Sequence, residues 1–206
     1  MMSRRQFNVV GAMCALGGFE LALDSRAYGA NLNYSVPGAV DVIKQVGDTC
    51  WAYTATMMYN WRKQVNNTPD QVVGLAGPQF KKYFVDKTFL PFELGDAFFK
   101  SLGLKSMRPA SYPPDQFQKF LKDYGLLWAT TLGSKRGCNF SAHARIIRAI
   151  TGDGAPASTN IKVIDPATGT QSSQSMTAFY KDFEAFAKAE NSCDPDEPLI
   201  PQILHF

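Results

Sequence analysis

Gln45-Val46-Gly47-Asp48-Thr49-Cys50-Trp51-Ala52 is the stretch that decides the reading, a polar turn running directly into a helical pattern. Trp51, Ala55, Met58 and Trp61 recur at roughly helical spacing, and the pattern closes on Arg62 and Lys63 ahead of Asn66-Asn67. Thr49 or Asp48 is placed to cap this helix, which puts Cys50 in its first turn. A thiol there meets unpaired backbone N–H groups and the positive end of the helix dipole, and both favour thiolate over thiol. Gln45, five residues earlier, carries an amide N–H₂ able to donate to an oxyanion forming on an attacked carbonyl. A plainer reading competes, because a cysteine beside a tryptophan is more often buried core. The downstream half of the chain has to decide.

The 206 residues fit one domain, and 45% hydrophobic residues with 13% aromatics are enough for a proper core. A formal charge of +3 and no basic run longer than two residues argue against a nucleic-acid or lipid-headgroup partner. There is no fixed-period repeat, no low-complexity tract and no apolar run of the roughly 18 residues a membrane span needs. No stable membrane association is expected.

Residues 1–30 read differently from the rest. Ser3-Arg4-Arg5-Gln6-Phe7 precedes an uncharged run from Val9 to Phe19, and Ala27-Tyr28-Gly29-Ala30 offers small residues where a signal peptidase acts. The segment resembles a twin-arginine export signal, with Asn8, Glu20 and Asp24 as departures. It implies a mature domain over residues 31–206, exported to the periplasm or secreted. The alternative is an amphipathic helix packed on a cytoplasmic domain. Met13 ahead of Cys14 argues against a lipoprotein signal. If Cys14 leaves with the signal, an oxidising compartment could join Cys138 to Cys193 and leave Cys50 as the odd thiol. Three reduced cysteines in a cytosolic protein are equally compatible with the sequence.

Residues 31–44 suit an extended surface segment leading into the Cys50 turn. Thr68-Pro69-Asp70 opens a short helix that ends by Gly74 or Gly77, and another amphipathic piece over residues 92–102 is closed by Gly103. Ser111 to Asp115 starts a helix with Phe117, Phe120, Leu121 and Tyr124 on one face and Gly125 as its terminator. The texture then changes to strands over residues 126–132, 144–151 and 161–164, followed by an aromatic helix over 175–189 covering the sheet. The tail from Asn191 to Phe206 is expected to be irregular. Helices first and strands second predict an α+β domain of two lobes.

A cysteine nucleophile needs a base near neutral pH, and the chain has two histidines. His205 sits in a Pro-punctuated tail. His143 ends a Gly-Cys-Asn-Phe-Ser-Ala connection and begins a strand, where a ring can face a cleft, although a lone histidine is usually structural. The strand over 161–164 delivers Asp165 at its end, and neighbouring antiparallel strands would set that carboxylate beside His143 to fix the ring tautomer.

These residues together carry a family resemblance. Gln45, Cys50-Trp51-Ala52, His143 on the strand ending Ile150-Thr151-Gly152-Asp153-Gly154, and Val163-Ile164-Asp165-Pro166-Ala167-Thr168-Gly169 resemble the bacterial papain-like cysteine peptidases of the AvrRpt2-like branch, related to the bacteriocin-processing peptidases. The resemblance covers residues 36–187. It implies a papain-like α+β fold, with an N-terminal helical lobe whose central helix bears the cysteine packed on a C-terminal antiparallel β-sheet lobe. It further implies Cys50 as nucleophile, His143 as general base and then acid, Asp165 as the orienting residue, and Gln45 with the Cys50 N–H as oxyanion hole. The substrate would be a protein or peptide, with no metal or other cofactor, and the chain is expected to be a monomer. Arg145, Arg148 and Tyr53 depart from the family pattern and leave the cleft shape open. The same three groups serve amidases, deamidases and transglutaminase-type acyl transferases, since acyl transfer from an amide is one chemistry with different acceptors. Cell-wall peptidases of related type orient the histidine with a second histidine, and only His205 is spare. A catalytically silent peptide-binding module, with Cys50 as core, is the non-enzymatic alternative.

Overall fold

A helix that is apolar around most of its circumference belongs inside a protein. The computed structural model describes residues 31–193, 195, 196 and 199–206, and in it α1 (Cys50–Lys63) is such a helix. Ala52, Thr54, Ala55, Thr56 and Met58 are all enclosed. The two buried hydroxyls are satisfied: Thr56 donates to Ala52 O at 2.7 Å within the helix, and Thr54 donates to Ala144 O at 3.1 Å in the sheet. The expected export segment, residues 1–30, lies outside the described residues.

The remaining elements are β1 (Leu32–Ser35), α2 (Pro69–Ala76), α3 (Pro78–Val85), α4 (Phe92–Leu102), β2 (Lys105–Ser106), α5 (Pro114–Tyr124), β3 (Leu127–Arg136), β4 (Asn139–Gly152), β5 (Asn160–Asp165), β6 (Thr170–Ser175), α6 (Met176–Cys193) and β7 (Ile203–His205). Thr68 and Gln71 form a reciprocal capping box at the start of α2, behind Pro69 in the first position. Gly125 ends α5 with φ +86°, and the Trp61 ring lies so close that any side chain there would overlap it.

All strand pairings are antiparallel, in the order β2-β7-β3-β4-β5-β6 with β1 added beside β4. β4 is the spine. One edge pairs with β3 over residues 139–147 and with β1 over 149–152, while β5 joins the other edge only from Ile146 onward. One buried cluster runs without a break from Trp51 and Met58 in α1 through Phe98, Phe117 and Ile146 to Phe179 in α6. The protein is α+β with an antiparallel sheet, as its sequence implies.

Several local expectations are corrected. His143 does not begin a strand; it lies inside β4, because the polar Asn139-Phe140-Ser141-Ala142 stretch pairs with β3 as a long hairpin. α3 and β6 have no counterpart in the sequence reading. α3 buries only Phe80, and β6 is the polar edge strand Thr-Gln-Ser-Ser-Gln-Ser, which lacks apolar alternation. The tail is not irregular throughout. Ile203, Leu204 and His205 form β7 between β2 and β3, and all three are buried. His205 stacks on Tyr124 with ring centroids 3.8 Å apart, a packing role at a distance from Cys50's helix end.

The structure joins Cys138, at the tip of the β3–β4 hairpin, to Cys193 at the end of α6, with Cα atoms 5.4 Å apart. Among the described residues, Cys50 is the free cysteine. A cross-link over 55 residues restricts the unfolded chain. Replacing both cysteines by serine is expected to lower stability by about 2–4 kcal/mol, read as a lower thermal midpoint in oxidised protein. Equal midpoints for the parent and the double variant would show that the bond contributes nothing.

Candidate active site

Where β5 stops pairing, the outer edge of β4 is left open, and α1 fills it. Ala144 N–H points at the Cys50 sulfur, with N to Sγ 3.5 Å, and Ala144 O accepts from Thr54. The sulfur also lies 4.0 Å from Ala142 O. The thiol therefore rests on the main chain on either side of His143, and it is buried.

The loop ahead of α1 is held from three sides. Gln45 N–H donates to Pro166 O at 2.8 Å, Asp48 N–H to Lys87 O at 3.0 Å, and Thr49 Oγ1 to Val46 O at 2.8 Å. Gly47, at φ +67°, passes against Lys87 where a side chain would collide with the Lys87 main chain. Thr49 occupies the N-cap position, but its hydroxyl turns back into the loop and makes no cap bond. That corrects the expected side-chain cap and leaves the first N–H groups of α1 without one.

His143 Nε2 and Asp165 Oδ1 are 2.8 Å apart, and the same oxygen accepts from Ala167 N–H at 2.8 Å. With Nε2 engaged, Nδ1 is the nitrogen left for the Cys50 thiol, whose hydrogen bond and charge act on the ring. Burial by itself would lower the His143 pKa, but hydrogen bonds to Asp165 and Cys50 and their charges outweigh it and raise the ring to about 9. For Asp165, burial pushes upward, and the His143 hydrogen bond and charge, the Ala167 N–H and the Arg145 charge together hold the carboxyl below its usual range.

Gln45 lines the same groove as Cys50 and His143. Its amide nitrogen donates to Gly47 O at 2.7 Å, and its Oε1 is buried with no hydrogen-bond partner among the described residues. Sequence reasoning did not find the chamber beside the thiol. A cavity of about 290 Å³ opens next to Cys50, walled by Phe89, Phe92, Phe99, Trp128 and Phe140, with Ile200 and Pro201 of the tail also lining it. Phe92 and Phe140 stack at 5.8 Å. These five aromatics come from separate stretches of the chain, and no single periodic pattern groups them around a void. Among the described residues, no group of three His, Cys, Asp or Glu side chains is placed to hold a metal ion.

Residues 30–184 match the model of the family described as papain-like cysteine protease AvrRpt2. The chain belongs to that family. No curated protein matches it. The family match spans α1 and every strand from β1 to β6, so the elements carrying Gln45, Cys50, His143 and Asp165 all fall within it.

The raised His143 pKa ties the pairing to pH. The pairing contributes stability that is fully present below about 6.5 and is lost as pH rises through about 9. Ring-proton NMR is expected to show His143 charged until near pH 9, and Asp165→Asn should bring that titration down because it removes the partner that favours the charged ring. An unchanged titration in Asp165→Asn would refute the assignment.

Proposed function

We propose that the protein is a cysteine peptidase that hydrolyses peptide bonds through Cys50, His143 and Asp165. The observation that carries this reading is the Cys50 sulfur seated on the main chain of Ala142 and Ala144, on either side of His143, whose Nε2 is 2.8 Å from Asp165 Oδ1. The sulfur, imidazole and carboxylate come from α1, β4 and β5, and a purely structural thiol has no need of that partnership. A cleft between a helical lobe and a sheet lobe, in the papain manner, is part of the same proposal.

In the proposed mechanism His143 carries the proton of the pair when the sulfur attacks. The Cys50 thiolate attacks the carbonyl carbon, a C–S bond forms, and the carbonyl electrons move to oxygen. The Cys50 N–H, free of a side-chain cap, and the Gln45 amide are the donors proposed for that oxyanion. Collapse breaks the C–N bond as imidazolium gives its proton to the leaving amine, leaving a thioester. The now neutral His143 takes a proton from water, the hydroxide displaces the sulfur, and the acid product departs. Asp165 holds the ring throughout. The apolar chamber supports a peptide substrate with a bulky apolar side chain near the scissile bond.

We also propose export. The apolar run after Arg4-Arg5 and the bond between Cys138 and Cys193 support it. Terminal sequencing of the protein from fractionated cells is expected to start near Asn31, and full-length protein confined to the cytosol would refute this.

Peptide-library digestion read by mass spectrometry tests the main proposal. The parent should cleave, and Cys50→Ala should lose activity by at least about 10³-fold. A thiol-directed peptidase inhibitor should modify Cys50 in the parent and far more slowly in His143→Ala. A parent that neither cleaves nor labels would remove the enzyme assignment and leave the fold in place.

A further inference from the structure

Arg145 departs from the family's apolar strand, and the chemistry above gives it no task. It lies two residues after His143 on β4, so the two side chains share a face. It is buried, with its side chain about 10% exposed. Nη2 donates to Thr131 Oγ1 at 3.1 Å, and that hydroxyl donates in turn to His143 O at 3.2 Å. Nε is buried with no partner among the described residues.

Taking a guanidinium out of water is costly unless an anion faces it. Asp182 of α6 is 3.8 Å away and half exposed, which is a loose pairing. The pairing register supplies a second anion. Ile146 stands opposite Ile164, so continuing the ladder by one residue sets Arg145 opposite Asp165. The charges of Asp165 and Asp182 both act on Arg145, that of Asp165 more strongly, and the Arg145 charge acts back on Asp165. The other ionisable groups lining this groove are Cys50, His143 and Asp48.

We infer that Arg145 is a positioning residue for the proposed site: its bond to Thr131 fixes the main chain that carries His143, and its guanidinium adds a cation to the surroundings of Asp165. The inference rests on the peptidase reading. As the proton leaves the ring and returns during a turnover, Asp165 and the His143 main chain have to stay in place, and a cation bonded to Thr131 serves that end.

The test compares the parent with Arg145→Met, Arg145→Lys and Thr131→Val in two measurements: Asp165 titration by carboxyl-carbon NMR, and kcat and KM on a peptide the parent cleaves. In Arg145→Met the Asp165 titration is expected to move up, because a cation that favours the carboxylate is removed, with kcat lowered roughly tenfold to a hundredfold and KM little changed. Arg145→Lys should return the titration toward the parent, because it restores the charge. Thr131→Val should lower kcat with the Asp165 titration in place. Coincident titrations for the parent and Arg145→Met overturn the inference. Should Arg145→Met fail to fold, the other two variants decide it, and full kcat in Thr131→Val or a shifted titration in Arg145→Lys overturns it. An active parent with unmoved profiles sinks this inference alone, whereas a parent that neither cleaves nor alkylates at Cys50 sinks the peptidase reading with it.

Discussion

The meeting of α1 with the open edge of β4 is the contact on which the rest depends. A strand edge with no neighbour leaves main-chain donors and acceptors that must be matched. At Ala144 the first residue of α1 takes the N–H and a residue one turn later takes the C=O. Both groups of a single residue thus fix the helix in height and rotation. Since His143 is the neighbour of Ala144, locking the helix there also sets the distance from sulfur to imidazole.

From that lock the electrostatics follow. A partly buried imidazole is ordinarily pushed toward its neutral form, and here a carboxylate and a thiol reverse the outcome. Asp165 can do this because it is the last residue of β5 and because the Pro166–Gly169 turn folds back, with Ala167 N–H on the carboxylate and Gly169 N–H on Asp165 O. Pro166 O in turn holds Gln45 N–H, so the turn after β5 anchors the loop before α1. Loop, helix, strand and turn close into one ring of hydrogen bonds around the thiol.

Much of this was readable from residues whose local chemistry is loud. The Trp-Ala-Met pattern after Cys50, the Thr68-Pro69-Asp70 cap and the aromatic face of α5 each specify an element by themselves. The candidate set Cys50, His143 and Asp165 was named from residue type and order along the chain, and the fold brings His143 to Asp165 and the Cys50 sulfur to the main chain beside His143. The rest was silent for physical reasons. β6 is held by main-chain bonds to β5 and needs no apolar side chains, so its sequence carries no period. β7 is three residues long and takes its identity from its neighbours. The Thr49 hydroxyl had two carbonyl or amide choices within reach, and composition cannot say which it takes. The chamber beside Cys50 is a property of what the aromatics leave unfilled, which no linear pattern encodes.

β7 also bears on how the molecule is assembled. It enters between β2 and β3 and is not added at a margin, so β2 reaches the rest of the sheet only through it. Ile200 and Pro201, which line the chamber beside Cys50, lie just ahead of it. One short segment thus serves two ends, bridging strands inside the sheet and supplying part of the wall next to the sulfur, so that a change in it reaches both.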